Sequence, residues 1–308
     1  MAVTVLWSSS WILIRVGLDD EALGPVTFAG LRYGLASTVL VIAVAARRTH
    51  RAEVRRLDPG TVLRFGVLGL VVYTITQGAQ FVAIDNQPAA TTSLVLSLTP
   101  LLVAFVSVRQ LGERPAPRQL VGAGLVVAGA SIYFAGDLGA TTVGLAAAAV
   151  GLTANVSGAT LGRHVNRAAS TSPLVVTAVS MTAGALVLVI AGLMIEGRPS
   201  VTPRAGVIIA WLAVVNTALA FTLWNFSLRR LSALESAGVN NTMLIQIALL
   251  AWLFLDESPG TVGVIGIVAV SLGVFLTRGA LPQRPARSGS PVRCDDGPSG
   301  PDRSNGGA

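Results

Sequence analysis

Lysine is absent from this sequence, cysteine occurs once, and only 12% of the residues are charged. The single thiol, Cys294, lies in a polar C-terminal stretch, which excludes an intrachain disulfide and a cysteine-based metal site. The two histidines, His50 and His164, stand alone without an HExxH-like spacing, so neither a metal nor a cofactor is expected. The scarcity of charge decides the class. With 52% of residues hydrophobic and a mean hydropathy of +0.69, a soluble domain of this length could not cover itself with polar surface. The chain therefore reads as an integral membrane protein with the lipid bilayer as its surroundings. A net charge of +7 and a pI near 11.1 would point to nucleic acid in a soluble protein. Here the basic residues, all arginine, fall in short breaks between apolar runs, so they read as topology signals and no nucleic-acid partner is expected.

Apolar runs long enough to cross a hydrocarbon core, which needs about 20 residues, predict ten helices. They fall near 3–18, 26–46, 62–84, 90–109, 118–136, 142–162, 173–195, 205–228, 233–254 and 260–277. Beyond Thr277 the sequence turns to Arg, Pro, Gly and Ser, and residues 279–308 are expected to form a disordered tail. Arginine collects in alternate loops: Arg47, Arg48, Arg51, Arg55 and Arg56; then Arg109, Arg114 and Arg118; then Arg163 and Arg167; then Arg229 and Arg230. The opposite loops hold Asp19, Asp20 and Glu21, then Asp85, Asp137, and Asp256 with Glu257, the exceptions being Arg198 and Arg204. By the positive-inside rule the arginine-bearing loops and both termini are cytoplasmic.

Two stretches of the chain are related. Glu113, Gly122 and Gly129 align without gaps with Glu257, Gly266 and Gly273, and the spacing of Arg15 to Pro25 recurs between Arg163 and Pro173. Five helices per copy is an odd number, so the second copy enters the membrane from the other side. The expected fold is all-α, with ten transmembrane helices arranged as two inverted-topology repeats of five, residues 1–137 and 138–278. The opening "LWSSSWILIR" with Pro25 and Arg32, the "TPLL…LGE…G…G" of the first copy and the "LDE…G…G" of the second resemble the drug/metabolite transporter superfamily in its ten-helix EamA-type form. One departure is that Pro100 aligns with Leu244. The resemblance implies a transporter, often an exporter of amino acids or other small metabolites, with a cavity between the repeats. It also implies the cytoplasmic (inner) membrane of a bacterium and a small-molecule solute as partner. Oligomeric state is left open.

Polar and aromatic side chains inside the spans are the candidates for that cavity, because unpaired polar groups are costly in lipid. Tyr73, Thr76, Gln77 and Gln80 share one helix face. The repeat alignment sets Phe221 and Trp224 against Gln77 and Gln80, with Asn216 and Asn225 nearby. Trp7, Ser8 and Trp11 come from the first helix, Asn155 and Ser157 from the sixth, Asn240, Asn241 and Gln246 from the ninth, and Ser93, Ser97 and Thr99 from the fourth. The candidate substrate-binding set is Trp7, Trp11, Tyr73, Gln77, Gln80, Asn155, Phe221, Trp224, Asn225 and Asn241. The competing reading is ordinary packing: Ser and Thr in membrane helices commonly bond their own backbone, and Trp near a span end commonly anchors at the interface. Arg32 sits about two turns inside its helix, where a guanidinium costs about 2.5–3.5 kcal/mol to insert. A structural role is favoured for it, by snorkelling or by pairing with Asp19, Asp20 or Asp85, over contact with an anionic solute. The paired glycines Gly30 with Gly34 and Gly158 with Gly162 are expected at close helix contacts within the chain.

A membrane-embedded enzyme acting on a lipid-soluble substrate is the alternative class. Such chemistry needs a metal, an activated nucleophile or paired carboxylates, and the acids here sit at helix ends, so no catalytic residue is assigned. The same distribution favours transport without proton coupling, because a proton relay needs a titratable group within the spans, and one through Glu235 or Asp85 at the helix ends would need cavity water to reach that far.

Overall fold

Proline opens most of the long helices, where its fixed φ suits the first turn and its missing N–H costs nothing. The computed structural model describes residues 2–18, 23–87, 89–99, 102–103, 106, 116–133, 140–168, 171–231, 236, 239–240, 242–255 and 260–277; among them no strand occurs. Helix α1 spans Ala2–Leu18, α2 Pro25–Ala46, α3 Arg48–Arg55, α4 Pro59–Asn86, α5 Ala89–Leu96 and α6 Pro117–Tyr133. Helix α7 spans Thr142–Ala168, α8 Pro173–Ile195, α9 Pro203–Leu228, α10 Thr242–Leu255 and α11 Thr261–Thr277. Asp58 caps α4 by accepting from Thr61 N at 3.0 Å, and Thr202 caps α9 by accepting from Ala205 N at 3.2 Å. Among the described residues five helices, α2, α4, α7, α8 and α9, are long and apolar enough to cross a membrane. Large apolar side chains such as Ile42, Leu63, Leu186, Met194 and Phe275 point outward, as suits a protein whose solvent is lipid.

Two long helices are not α-helical throughout. α4 winds as a π-helix over Leu70–Ile75, and α9 does so over Leu212–Leu219. A π segment inserts an extra residue per turn and re-aims the side chains beyond it, which is why such segments cluster at functional sites.

Helix pairs meet where glycine removes the side chain. In the α2–α8 pair, a Cβ at Gly30 would lie 3.0 Å from Val189 Cα, and one at Gly192 would lie 2.8 Å from Thr27 Cα. In the α6–α11 pair, a Cβ at Gly129 would lie 2.6 Å from Val270 N, and one at Gly273 would lie 2.6 Å from the Gly122 carbonyl oxygen. Gly158 faces Val72 of α4, and Gly162 faces Leu228 of α9, so both glycine pairs pack within the chain. Further packed pairs are α4 with α7 and α8, α1 with α9 and α10, α2 with α9, and α5 with α7.

Each end of the α2–α8 pair is held by a carboxylate. Glu196, after α8, accepts from Val26 N at 2.9 Å and Thr27 N at 2.7 Å, where α2 begins. Glu53 in α3 accepts from Ser172 N at 3.0 Å, where α8 begins. A negative charge at a helix N-terminus satisfies orphan N–H groups and complements the dipole. Burial works to raise the Glu53 carboxyl, but the hydrogen bonds from Ser172 and the neighbouring His50 outweigh it and hold the group below the ordinary range.

The structure corrects two features of the sequence reading. Residues 48–55, taken as loop, form α3. Arg163, placed in a cytoplasmic loop, lies within α7, is buried, and donates from Nη1 to the Leu228 carbonyl at 2.8 Å. It serves the C-terminal carbonyls of α9, which have no partner within their own helix. The tail, and with it Asp19, Asp20, Pro100, Glu113, Asp137, Glu235, Asp256 and Glu257, lies outside the described residues.

Candidate functional site

A cavity of about 170 Å³ opens between α1, α2, α4, α5, α7, α9 and α10. One wall is aromatic. Trp7 of α1 stacks obliquely on Phe221 at 4.8 Å and on Trp224 at 5.3 Å, both from α9. Phe221 meets Tyr73 edge-on at 5.0 Å, and Tyr73 meets Tyr33 at 5.8 Å. Such tilted pairs stabilise by about 0.5–1.5 kcal/mol beyond burial and hold the rings in place. Trp7 is further fixed because its Nε1 donates to the Asn216 carbonyl at 3.1 Å.

The rest of the wall sets polar groups among apolar side chains such as Ile14, Leu68, Val72 and Ile247, and it is almost uncharged. Gln77 and Gln80 are half-buried, line the cavity and make no hydrogen bond to another described residue. Ser93 Oγ and Asn240 Oδ1 are buried and find no partner among the described residues, as is also true of Thr27 Oγ1, Gln87 Oε1 and Asn216 Oδ1 away from the cavity. Buried amides and hydroxyls normally find partners inside the protein, so these groups leave hydrogen-bonding capacity on the cavity wall that a solute or water could take up. Asn155 donates to Thr99 Oγ1 at 3.2 Å. Asn225 is engaged from both sides: it donates to Thr177 Oγ1 at 2.9 Å and accepts from Asn166 Nδ2 at 2.9 Å, tying α9 to α8 and α7.

Trp7, Trp11, Tyr73, Gln77, Gln80, Asn155, Phe221, Trp224 and Asn225 all lie on this one cavity, and so does Arg32. Asn241 lies outside the described residues. Ser8 and Gln246 are used elsewhere: Ser8 Oγ donates to Gln246 Oε1 at 2.9 Å across the α1–α10 contact. Ser157 is exposed and bonds the Thr153 carbonyl of its own helix at 2.9 Å. Asn216 Nδ2 is bound by the Leu6 carbonyl and the hydroxyls of Ser9 and Ser10. Packing accounts for these four.

Arg32 does not snorkel. It is 3% exposed, its Nε donates to Thr217 Oγ1 at 2.8 Å, and its guanidinium lies 5.3 Å from the ring of Tyr33. Asp85, one of the acids expected to pair with it, is exposed and accepts from Asn86. The sequence reading missed Thr217, Tyr33 and Ser10. No local pattern distinguishes Thr217 from other membrane threonines; its position in the π segment of α9 brings it to Arg32. Among the described residues lining the cavity there is no Cys, His, Asp or Glu. The arrangement offers aromatic faces, neutral hydrogen-bonding groups and one guanidinium.

The sequence model of the EamA-like transporter family matches residues 1–135 and again 141–279. The chain belongs to the EamA-like transporter family. It is an integral membrane protein of that family, and curated relatives align over most of its length. A "probable terminal-alkyne amino-acid exporter" of Streptantibioticus cattleyicolor is 26% identical over 279 residues, 88% of this chain and 89% of that one. A "probable amino-acid metabolite efflux pump" of Escherichia coli is 24% identical over 288 residues, 90% of this chain and 92% of that one. A crystal structure superposes with a TM-score of 0.69 at 21% identity, covering 90% of this chain and 96% of the other, so the two chains share a fold.

Proposed function

We propose that this chain exports a small metabolite, an amino acid or a similar polar or amphipathic solute, by alternating access between two inverted five-helix repeats. The observation carrying the proposal is the cavity itself, which is lined both by α4 amides that no described residue satisfies and by an aromatic cluster from α1 and α9. The names of the two relatives, both referring to amino acids and to outward transport, support the choice of solute and direction.

The helix contacts support the repeat. Exchanging the two copies turns α2–α8 and α6–α11 into themselves, α4–α7 into α9–α1, α5–α7 into α10–α1, and α2–α9 into α8–α4; all of these pairs are packed. The separation of Glu113 from Glu257 carries the π segment Leu70–Ile75 onto 214–219, inside Leu212–Leu219. Glu196 at the start of α2 and Glu53 at the start of α8 form a matching pair of clamps. An inverted repeat has two arrangements of nearly equal energy, which open one central site to opposite sides in turn.

Proteoliposomes holding the purified protein and loaded with a labelled mixture of neutral amino acids test the function. Efflux faster than from empty vesicles, and unchanged by an imposed pH gradient, is the expected result. Equal leakage from both preparations would refute it. The orientation, with both termini cytoplasmic, follows from the arginine-rich segment 47–56. Ala52→Cys should stay unlabelled by an impermeant maleimide in intact cells and react once the cells are opened. Labelling in intact cells would invert the assignment.

A further inference from the structure

Arg32 is a full positive charge with no counter-charge among the described residues. It stands seven residues beyond the first residue of α2, is 3% exposed and forms part of the cavity wall. A guanidinium has five donors. The structure gives it one hydrogen bond, from Nε to Thr217 Oγ1 at 2.8 Å, and no ion pair with any described acid. Glu196 is occupied by the backbone of Val26 and Thr27. Glu53 is bound at Ser172 and His50. Asp58 caps α4 through Thr61, and Asp85 is exposed. Arg32 is thus the one cation among the described residues of the cavity, and its terminal nitrogens are unassigned.

We propose that Arg32 is the anion anchor of the cavity and that the solute carries a carboxylate there. This deepens the transport reading and rests on it. A buried charge is tolerated when it is paired and hydrogen-bonded, and the planar fork of arginine matches the two oxygens of a carboxylate. Thr217 fixes Nε, which sets the plane of the fork and leaves both terminal nitrogens for the ligand. A phosphate would bring close to two negative charges to a wall with a single cation, so a monoanion is the better match. The aromatic surface beside Arg32, Tyr33 with Tyr73 and Phe221, suits the apolar part of the same molecule.

The test is binding, read by thermal unfolding of the full chain in lipid nanodiscs at neutral pH. The probes are L-leucine and L-phenylalanine, their amides L-leucinamide and L-phenylalaninamide, and inorganic phosphate. The acids should raise the melting temperature and the amides should not. Arg32→Gln should weaken acid binding by about 10-fold to 100-fold, as expected for loss of a charge-assisted hydrogen-bonded pair. Arg32→Lys, which keeps the charge but not the fork, should bind acids more weakly than the parent while still rejecting amides. If the Gln variant does not fold, the Lys variant decides, since a merely structural arginine predicts acid binding in it as strong as in the parent. Amides binding as well as acids, phosphate alone producing the shift, an undiminished response in Arg32→Gln, or no response to either acid would each overturn the proposal. Because binding is read without flux, acid-selective binding in a protein that moves nothing across vesicles would count against transport and spare the anchor.

Discussion

Gly69→Ala is expected to prevent folding of the helix core, although it adds one methyl group. Its Cβ would fall well inside van der Waals contact of the Ser180 carbonyl oxygen and 2.8 Å from the Ser180 carbonyl carbon, with Gly184 N at 3.2 Å. These are backbone atoms of α8, so no side chain can swing aside, and α4 must move away from α8. Overpacking a well-filled interior commonly costs about 1–3 kcal/mol, and contact with backbone belongs at or above the upper end. The displacement would reach the cavity directly, because the π segment bearing Tyr73 begins at the next residue, Leu70. Gly184→Ala on the facing helix should behave the same way, its Cβ lying 2.9 Å from Tyr73 Cβ. Gly66→Ala is the control. Nothing lies within 4 Å of its Cβ, and replacing a helical glycine with alanine stabilises by about 0.5–1 kcal/mol. Fluorescence-detected size exclusion after heating should show Gly66→Ala at or above the parent melting temperature and Gly69→Ala largely aggregated. A Gly69→Ala protein as stable as the parent would mean that α4 and α8 are not in backbone contact.

The second large effect is on transport, with folding largely retained. Trp224→Ala removes the outer ring of the Trp7, Phe221 and Trp224 cluster, which is only half-buried and borders the cavity. Truncating an aromatic anchor at a binding surface costs about 2 kcal/mol or more, roughly 30-fold in affinity. Gln80→Leu keeps the size and deletes an amide that no described residue satisfies. Losing one neutral hydrogen bond of about 0.5–1.5 kcal/mol should weaken transport by about 2-fold to 10-fold. Both variants should reach the membrane at parental levels, because neither side chain ties two helices together by a hydrogen bond. Asn225→Leu should differ from them and lower stability as well, since its amide bridges α7 and α8. Unchanged flux in both Trp224→Ala and Gln80→Leu would move these residues to packing and leave the solute site elsewhere.

The local parts of the fold were legible in sequence. Expected spans such as 26–46, 173–195 and 205–228 coincide with α2, α8 and α9 to within two residues, because hydropathy and an opening proline act within each segment. Alignment of the two copies brought Gln77 and Gln80 together with Phe221 and Trp224, and the structure sets all four on one cavity. The π segments in α4 and α9 were not visible, since no residue type specifies a π turn. α3 was missed because an eight-residue arginine-rich stretch carries no apolar run to read. Asn225 was grouped with the candidate amides, yet its hydrogen bonds are spent between helices.

By itself the sequence determined that this chain lives in lipid, where most of its apolar helices begin, and which residues are polar within them. Those properties are local, because a helix in lipid satisfies its own backbone and each segment meets the hydrocarbon on its own account. Only the tertiary structure decided which polar groups are left over. Ser8, Gln246, Asn216 and Arg163 look no different in sequence from Gln77, Gln80 and Arg32, but the first four find partners on neighbouring helices. The last three meet at a cavity, and Arg32 finds Thr217 rather than an acid. Whether a buried polar group is satisfied depends on the helix that packs beside it, and that neighbour is set by long-range contacts such as Gly69 against Ser180, which no segment encodes alone.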